Sequence, residues 1–182
     1  MRAGFTLLEV VIAVAIVAIV GAVLFLLQSN FFSLNTFLQE SLSIERDAGS
    51  LMRDIVSQLR AVSPSDLGGY PIEVAGSSTL AFYANIDADP AIERVHYFLV
   101  GSALRRSTIK PAGSPLTYAT TTAAETLSTV LTDVAATATP LFSYYDASYA
   151  GTTTPLTQPV MIAAVQHIRV SITVDKNPFQ LP

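Results

Sequence analysis

The sequence predicts an α+β fold in which a long N-terminal α-helix, membrane-spanning in its first half and amphipathic in its second, packs on an antiparallel β-sheet head. Three observations predict it. Residues Phe5 to Leu27 form an apolar run whose only polar side chains are Thr6 and Glu9. No proline interrupts residues 5–63. Beyond Pro64, short alternating segments separated by turn residues replace the helical pattern, most clearly at Ile168, Val170, Ile172 and Val174.

The apolar run comes first. Its 23 residues would rise about 34 Å as a helix, enough to cross a hydrocarbon layer of roughly 30 Å. A carboxylate inside such a span costs on the order of 3 kcal/mol, so Glu9 calls for a compensating cation and is a functional candidate on that ground. Arg2 is the one basic residue ahead of the run, and no charge falls between Glu9 and Glu40. This bias predicts a cytoplasmic N-terminus and a head on the far side of the membrane. A secretory signal has a shorter apolar core, about 7–15 residues, with its small-residue cleavage site beyond that core. Here the small residue, Gly4, stands before it.

Past the run, Leu34, Phe37, Leu38, Leu42, Ile44, Ala48, Leu51, Met52, Ile55, Leu59 and Val62 recur at three- and four-residue spacing, with Glu40, Glu45, Arg46, Asp47, Arg53, Asp54 and Arg60 between them. That is the pattern of a helix with one face seeking a partner. Ser63-Pro64-Ser65-Asp66-Leu67-Gly68-Gly69 ends it, because proline disfavours helix in the residue before it. Strands are expected at 72–74, 79–85, 92–100 and 103–109, the last two forming a hairpin through Gly101-Ser102, and at 142–146 and 168–174. The four β-branched residues of the final strand should face the Leu51, Ile55 and Leu59 stripe. Within the Thr-, Ala-, Ser- and Pro-rich stretch from Lys110 to Met161, a short helix is expected near Ser128–Ala135 and a loop from Ala147 to Pro155.

Gly4-Phe5-Thr6-Leu7-Leu8-Glu9 followed by Val10-Val11-Ile12-Ala13-Val14-Ala15-Ile16 resembles the prepilin signature of bacterial type IV pilins and type II secretion pseudopilins. The resemblance implies a leader at 1–4, a transmembrane helix at 5–27, its amphipathic extension at 28–63 and a β-rich head at 64–182. It implies cleavage after Gly4 by prepilin peptidase, N-methylation of the new terminus Phe5, and a role for Glu9 in subunit assembly, compensating the terminal ammonium of a neighbour. The implied partners are prepilin peptidase, other pilin or pseudopilin subunits, membrane lipid and, indirectly, an inner-membrane assembly platform and its ATPase. The implied place is the inner membrane, then a filament. A looser likeness, carried by Leu80-Ala81-Phe82-Tyr83-Ala84-Asn85, Glu93-Arg94-Val95-His96-Tyr97-Phe98-Leu99-Val100-Gly101 and Leu104-Arg105-Arg106, is to J-type minor pseudopilins and W-type minor pilins, and points to a tip or initiation subunit. Shaft pilins often carry a helix-kinking proline in the membrane segment; this chain has none before Pro64.

Catalysis finds no foothold. With no cysteine, disulfides, thiolate metal sites and cysteine nucleophiles are excluded. His96 and His167 lack companions at metal-ligand spacing, and no nucleophile elbow, phosphate loop or dinucleotide fingerprint occurs, so neither an enzyme nor a cofactor is expected. Ten Lys and Arg against fourteen Asp and Glu, scattered, give a net charge of −4 and no footprint for nucleic acid. Asn85, Asp87 and Asp89, with Glu93 nearby, set hard oxygens at alternate positions. However, Pro90 stands where an EF-hand loop requires glycine and His96 where it requires glutamate. The acids read as an ordinary strand connection, and Arg105, Arg106 and Lys110 as a basic patch on a solvated edge. The rival function is a single-pass envelope binding module or enzyme unrelated to filaments, which the depth of Glu9 and the cleavage signature argue against.

Overall fold

The computed structural model describes residues 7–87, 89–119, 125–135 and 137–175, except for the side chains of 26, 27 and 29–42. The chain divides into two units, residues 1–45 and 46–182. Helix α1 (Leu7–Arg60) is a single element of 54 residues, as the uninterrupted, proline-free sequence leads one to expect. Its inner stripe members Leu34, Phe37, Leu38 and Leu42 lie among the side chains outside the description.

In the second unit the stripe is resolved. Leu51 and Ile55 are buried, Leu59 is half-buried, and all three join one hydrophobic cluster with the strands, while Arg53 and Asp54 face solvent. At the end of α1 the Ala61 N–H bonds to the Gln58 carbonyl at 3.0 Å, and the chain then leaves the helix to meet β2: Val62 bridges Ala84 and the Ser63 N–H bonds to Tyr83 O. The turn that follows closes on itself, with Ser65 Oγ accepting the Gly69 N–H at 2.7 Å. A Cβ at Gly69 would stand 2.8 Å from that oxygen and would displace the Ser65 hydroxyl from this bond.

Strands β1 (Ile72–Ala75), β2 (Thr79–Ala84), β3 (Glu93–Val100), β4 (Ala103–Ile109) and β5 (Glu125–Leu131) form an antiparallel meander in chain order. The β3–β4 hairpin turns on Gly101-Ser102, with Val100 opposite Ala103 and Gly101 at φ +61°, a conformation glycine adopts without steric cost. The inner face packs Leu80, Phe82, Val95, Tyr97 and Leu104 with Leu51 and Ile55. Phe82 and Tyr97 stack at 6.3 Å, and the Tyr97 hydroxyl donates to Gln58 Oε1 of α1 at 2.8 Å, satisfying the polar tip of an otherwise buried ring. Strands β6 (Phe142–Tyr145) and β7 (His167–Val170) form a second, two-stranded sheet. It is tied to the first by the Tyr144 hydroxyl donating to Gly76 O at 2.9 Å and by the Phe142 N–H bonding to Ser77 O at 3.0 Å.

Two expectations are corrected. Residues 128–135 are not helical: β5 runs through Leu131 and pairs with β4. The open edge of β4 supplies ladder partners that local propensity does not register, and the Thr- and Val-containing segment satisfies its backbone there. Asp133, at φ +59°, turns the chain away, a left-handed conformation that Asp tolerates better than most residues. The final strand is shorter than expected, its ladder ending at Val170, and it belongs to the second sheet. The chain continues through single backbone bonds to the opposite side, including Ser171 N–H to Leu141 O and Ala135 N–H to Thr173 O. Even so, Ile168, Val170, Ile172 and Val174 are all partly buried against the hydrophobic cluster of the head.

Candidate functional site

The first unit presents an apolar helix surface with nothing of its own to cover it. Leu7–Phe25 has a mean hydropathy of 3.0 and none of it is buried within the chain. Leu7 is 82% exposed, Val17 71% and Phe25 71%. A helix apolar all round is stable only inside lipid or among other apolar helices. Glu9 lies in the first described turn, where the unsatisfied N–H groups of a helix favour negative charge. Gly4 and Phe5 lie outside the described residues.

The head carries its polar groups in separate clusters. Glu73 and Arg94 form a two-pronged pair, Nε to Oε2 at 2.6 Å and Nη2 to Oε1 at 3.1 Å, joined by the Tyr83 hydroxyl donating to Oε2 at 3.2 Å. Burial would raise the Glu73 carboxyl, but the hydrogen bond and charge of Arg94 outweigh it and hold the group below its ordinary value. A carboxyl lowered on folding contributes stability above its unfolded pKa and loses it as pH falls through the folded one. Glu73→Gln should therefore cost about 0.5 kcal/mol at pH 7, the small figure fitting a partly exposed pair. The gap between variant and wild-type melting temperatures should close as pH drops below about 4.5. A gap that is constant with pH would assign the cost to packing.

Both histidines have structural partners. His96 Nε2 lies 2.8 Å from Thr79 Oγ1 and its ring 4.8 Å from that of Phe98; burial first, then the charge of Arg94, lowers its pKa and keeps it neutral. His167 sits beside Tyr149, whose hydroxyl is bonded by Arg169, and that guanidinium lies 5.0 Å from the Tyr145 ring centre. These contacts fasten the 147–155 loop to β7. The expected basic patch does not exist. Arg105 and Arg106 are adjacent in β4 and so point to opposite faces, whereas Lys110 is engaged by Asp87 and Asp89. Among the described residues, the one group of three possible metal-ligating side chains is Asp87, Asp89 and Glu93. Nothing in the sequence pattern alone links Arg94 to Glu73, whereas closing the hairpin at Gly101-Ser102 brings Lys110 opposite Glu93.

Residues 1–25 match a family model described as the prokaryotic N-terminal methylation motif, and that match supports the type IV pilin and pseudopilin family. The motif is that of pilin-like substrates of prepilin peptidase. Together with the apolar N-terminal helix, it indicates a membrane-anchored protein. No curated protein and no solved structure matches the chain.

Proposed function

Starting from a methylation motif at the head of an uncovered apolar helix, we propose that this chain is a minor pilin or pseudopilin subunit that works by assembling, not by catalysis. It is held in the inner membrane with its N-terminus cytoplasmic and its head outside. Prepilin peptidase removes residues 1–4 and methylates Phe5, and the platform and ATPase then move the subunit into the tip or initiation complex of a type IV pilus or type II secretion pseudopilus. The observation that carries this proposal is the surface of Leu7–Phe25, apolar apart from Glu9 and with no part covered by the chain itself. Lipid covers that surface before assembly and sister helices cover it afterwards. Transfer between the two environments is then close to neutral in hydrophobic terms, leaving side-chain packing and polar pairing to decide register. Glu9, the one charged side chain of Leu7–Phe25, supplies that pairing.

The experiment is an intact-mass measurement on protein recovered from the native membrane. The expected species begins at Phe5 and carries one added methyl group. A species still beginning at Met1 with unmodified Phe5 would overturn the proposal.

A further inference from the structure

Asp87 and Asp89 in the β2–β3 connection and Glu93 at the start of β3 each bring one carboxylate oxygen within 4.8 Å of the others. Like charges this close require a compensating cation, and grouped hard oxygens are what a calcium-class dication takes as ligands. The β3–β4 ladder sets Ile109 opposite Arg94, so Lys110, the next residue, arrives beside Glu93. Its ammonium donates to Asp87, donates to Asp89 Oδ2 at 2.6 Å, and stands 3.6 Å from Glu93 Oε1. Glu93 is fully buried. Its Oε2 accepts the Ile86 N–H at 3.1 Å, while Oε1, on the side of the ammonium, has no hydrogen-bond partner.

We propose that Lys110 is the resident counter-ion of this turn: its ammonium occupies the position of a metal ion, the turn closes without one, and the carboxylate cage takes a hard dication only when the ammonium is removed. Backbone bonds also shape the cage. The Asp89 N–H bonds to Asp87 Oδ1 at 3.0 Å, the Ala91 N–H to Asp89 Oδ1 at 2.9 Å, and Asn85 Nδ2 holds the Asp89 carbonyl at 2.6 Å. These backbone anchors favour the same arrangement of Asp87 and Asp89 once the lysine is replaced. The Lys110 side chain is 51% exposed against 0% for Glu93, so the ammonium side of the cage is open to solvent and to an incoming ion. Pairing with Asp87 first, then Asp89, raises the Lys110 pKa, which keeps the ammonium charged throughout the physiological range. The assignment is independent of filament assembly.

The test uses the full chain in detergent micelles with calcium chloride or EDTA as the only variable. Wild-type protein should melt at the same temperature in both. Lys110→Met should melt lower than wild type in EDTA and rise by about 3 °C or more in about 10 mM calcium, with a calorimetric Kd on the order of 10⁻⁴ to 10⁻³ M. Lys110→Arg, which keeps the charge, should behave as wild type, and adding Asp87→Asn to Lys110→Met should abolish the calcium response. If Lys110→Met folds only with calcium, the proposal stands. Failure to fold in either condition, absence of calcium binding by the folded variant, or a calcium response in wild type equal to that of Lys110→Met would each overturn it.

Discussion

Gly4→Leu is expected to leave the first four residues on the chain. A peptidase cutting between Gly4 and Phe5 must bring the Gly4 carbonyl into contact with its own reacting groups, and glycine permits a backbone approach that a branched side chain blocks. Misplacement of a scissile bond by about 1 Å costs on the order of a hundredfold in rate, enough to turn complete processing into undetectable processing during the life of a cell. Methylation fails with it, because Phe5 never acquires a free amine. Gly4→Ala, adding a single methyl, should be cut slowly but measurably. N-terminal sequencing or intact mass of the two variants checks this ordering; Gly4→Leu recovered with Phe5 at its terminus would remove Gly4 from the cleavage site.

The helix and the hairpin were legible in the sequence because their signals are local and repeated. One proline-free stretch with a three- and four-residue apolar period yields α1, and Gly101 between two alternating runs yields the β3–β4 turn. Residues 128–135 were misread because the deciding interaction is with the open edge of β4, about 20 residues back, which composition does not reveal. The Lys110 cage was hidden for a related reason. Lys110 lies 17 to 23 residues from its acidic partners and meets them only through hairpin register. A signal does exist: once the hairpin is closed at Gly101-Ser102, counting back along both strands sets Lys110 beside Glu93. The Glu73–Arg94 pair has no such signal, since it reaches from β1 to β3 across β2 and depends on the irregular register between Ile72 and Val74.

Glu9→Ala should separate assembly from processing. Removing a carboxylate from the apolar span makes membrane insertion easier, and Glu9 lies beyond the Gly4–Phe5 bond, so the variant should be inserted, cut and methylated as wild type is. What it lacks is a counter-charge for the mature terminus. On the proposed assembly, each new N-terminal ammonium enters a bundle of sister helices from which water is excluded. Deleting one partner of such a pair costs about 3–5 kcal/mol, because the other charge is left uncompensated. At about 1.4 kcal/mol per tenfold, incorporation should fall by on the order of a hundredfold or more. Gly4→Leu should fail to assemble for the complementary reason: its amine remains at Met1, four residues or about 6 Å of helix away from where Glu9 would meet it. The two variants thus give opposite masses and the same assembly defect. Quantifying each in sheared filaments and in membranes distinguishes them, and normal incorporation of Glu9→Ala would show that packing of the apolar surfaces alone sets the register.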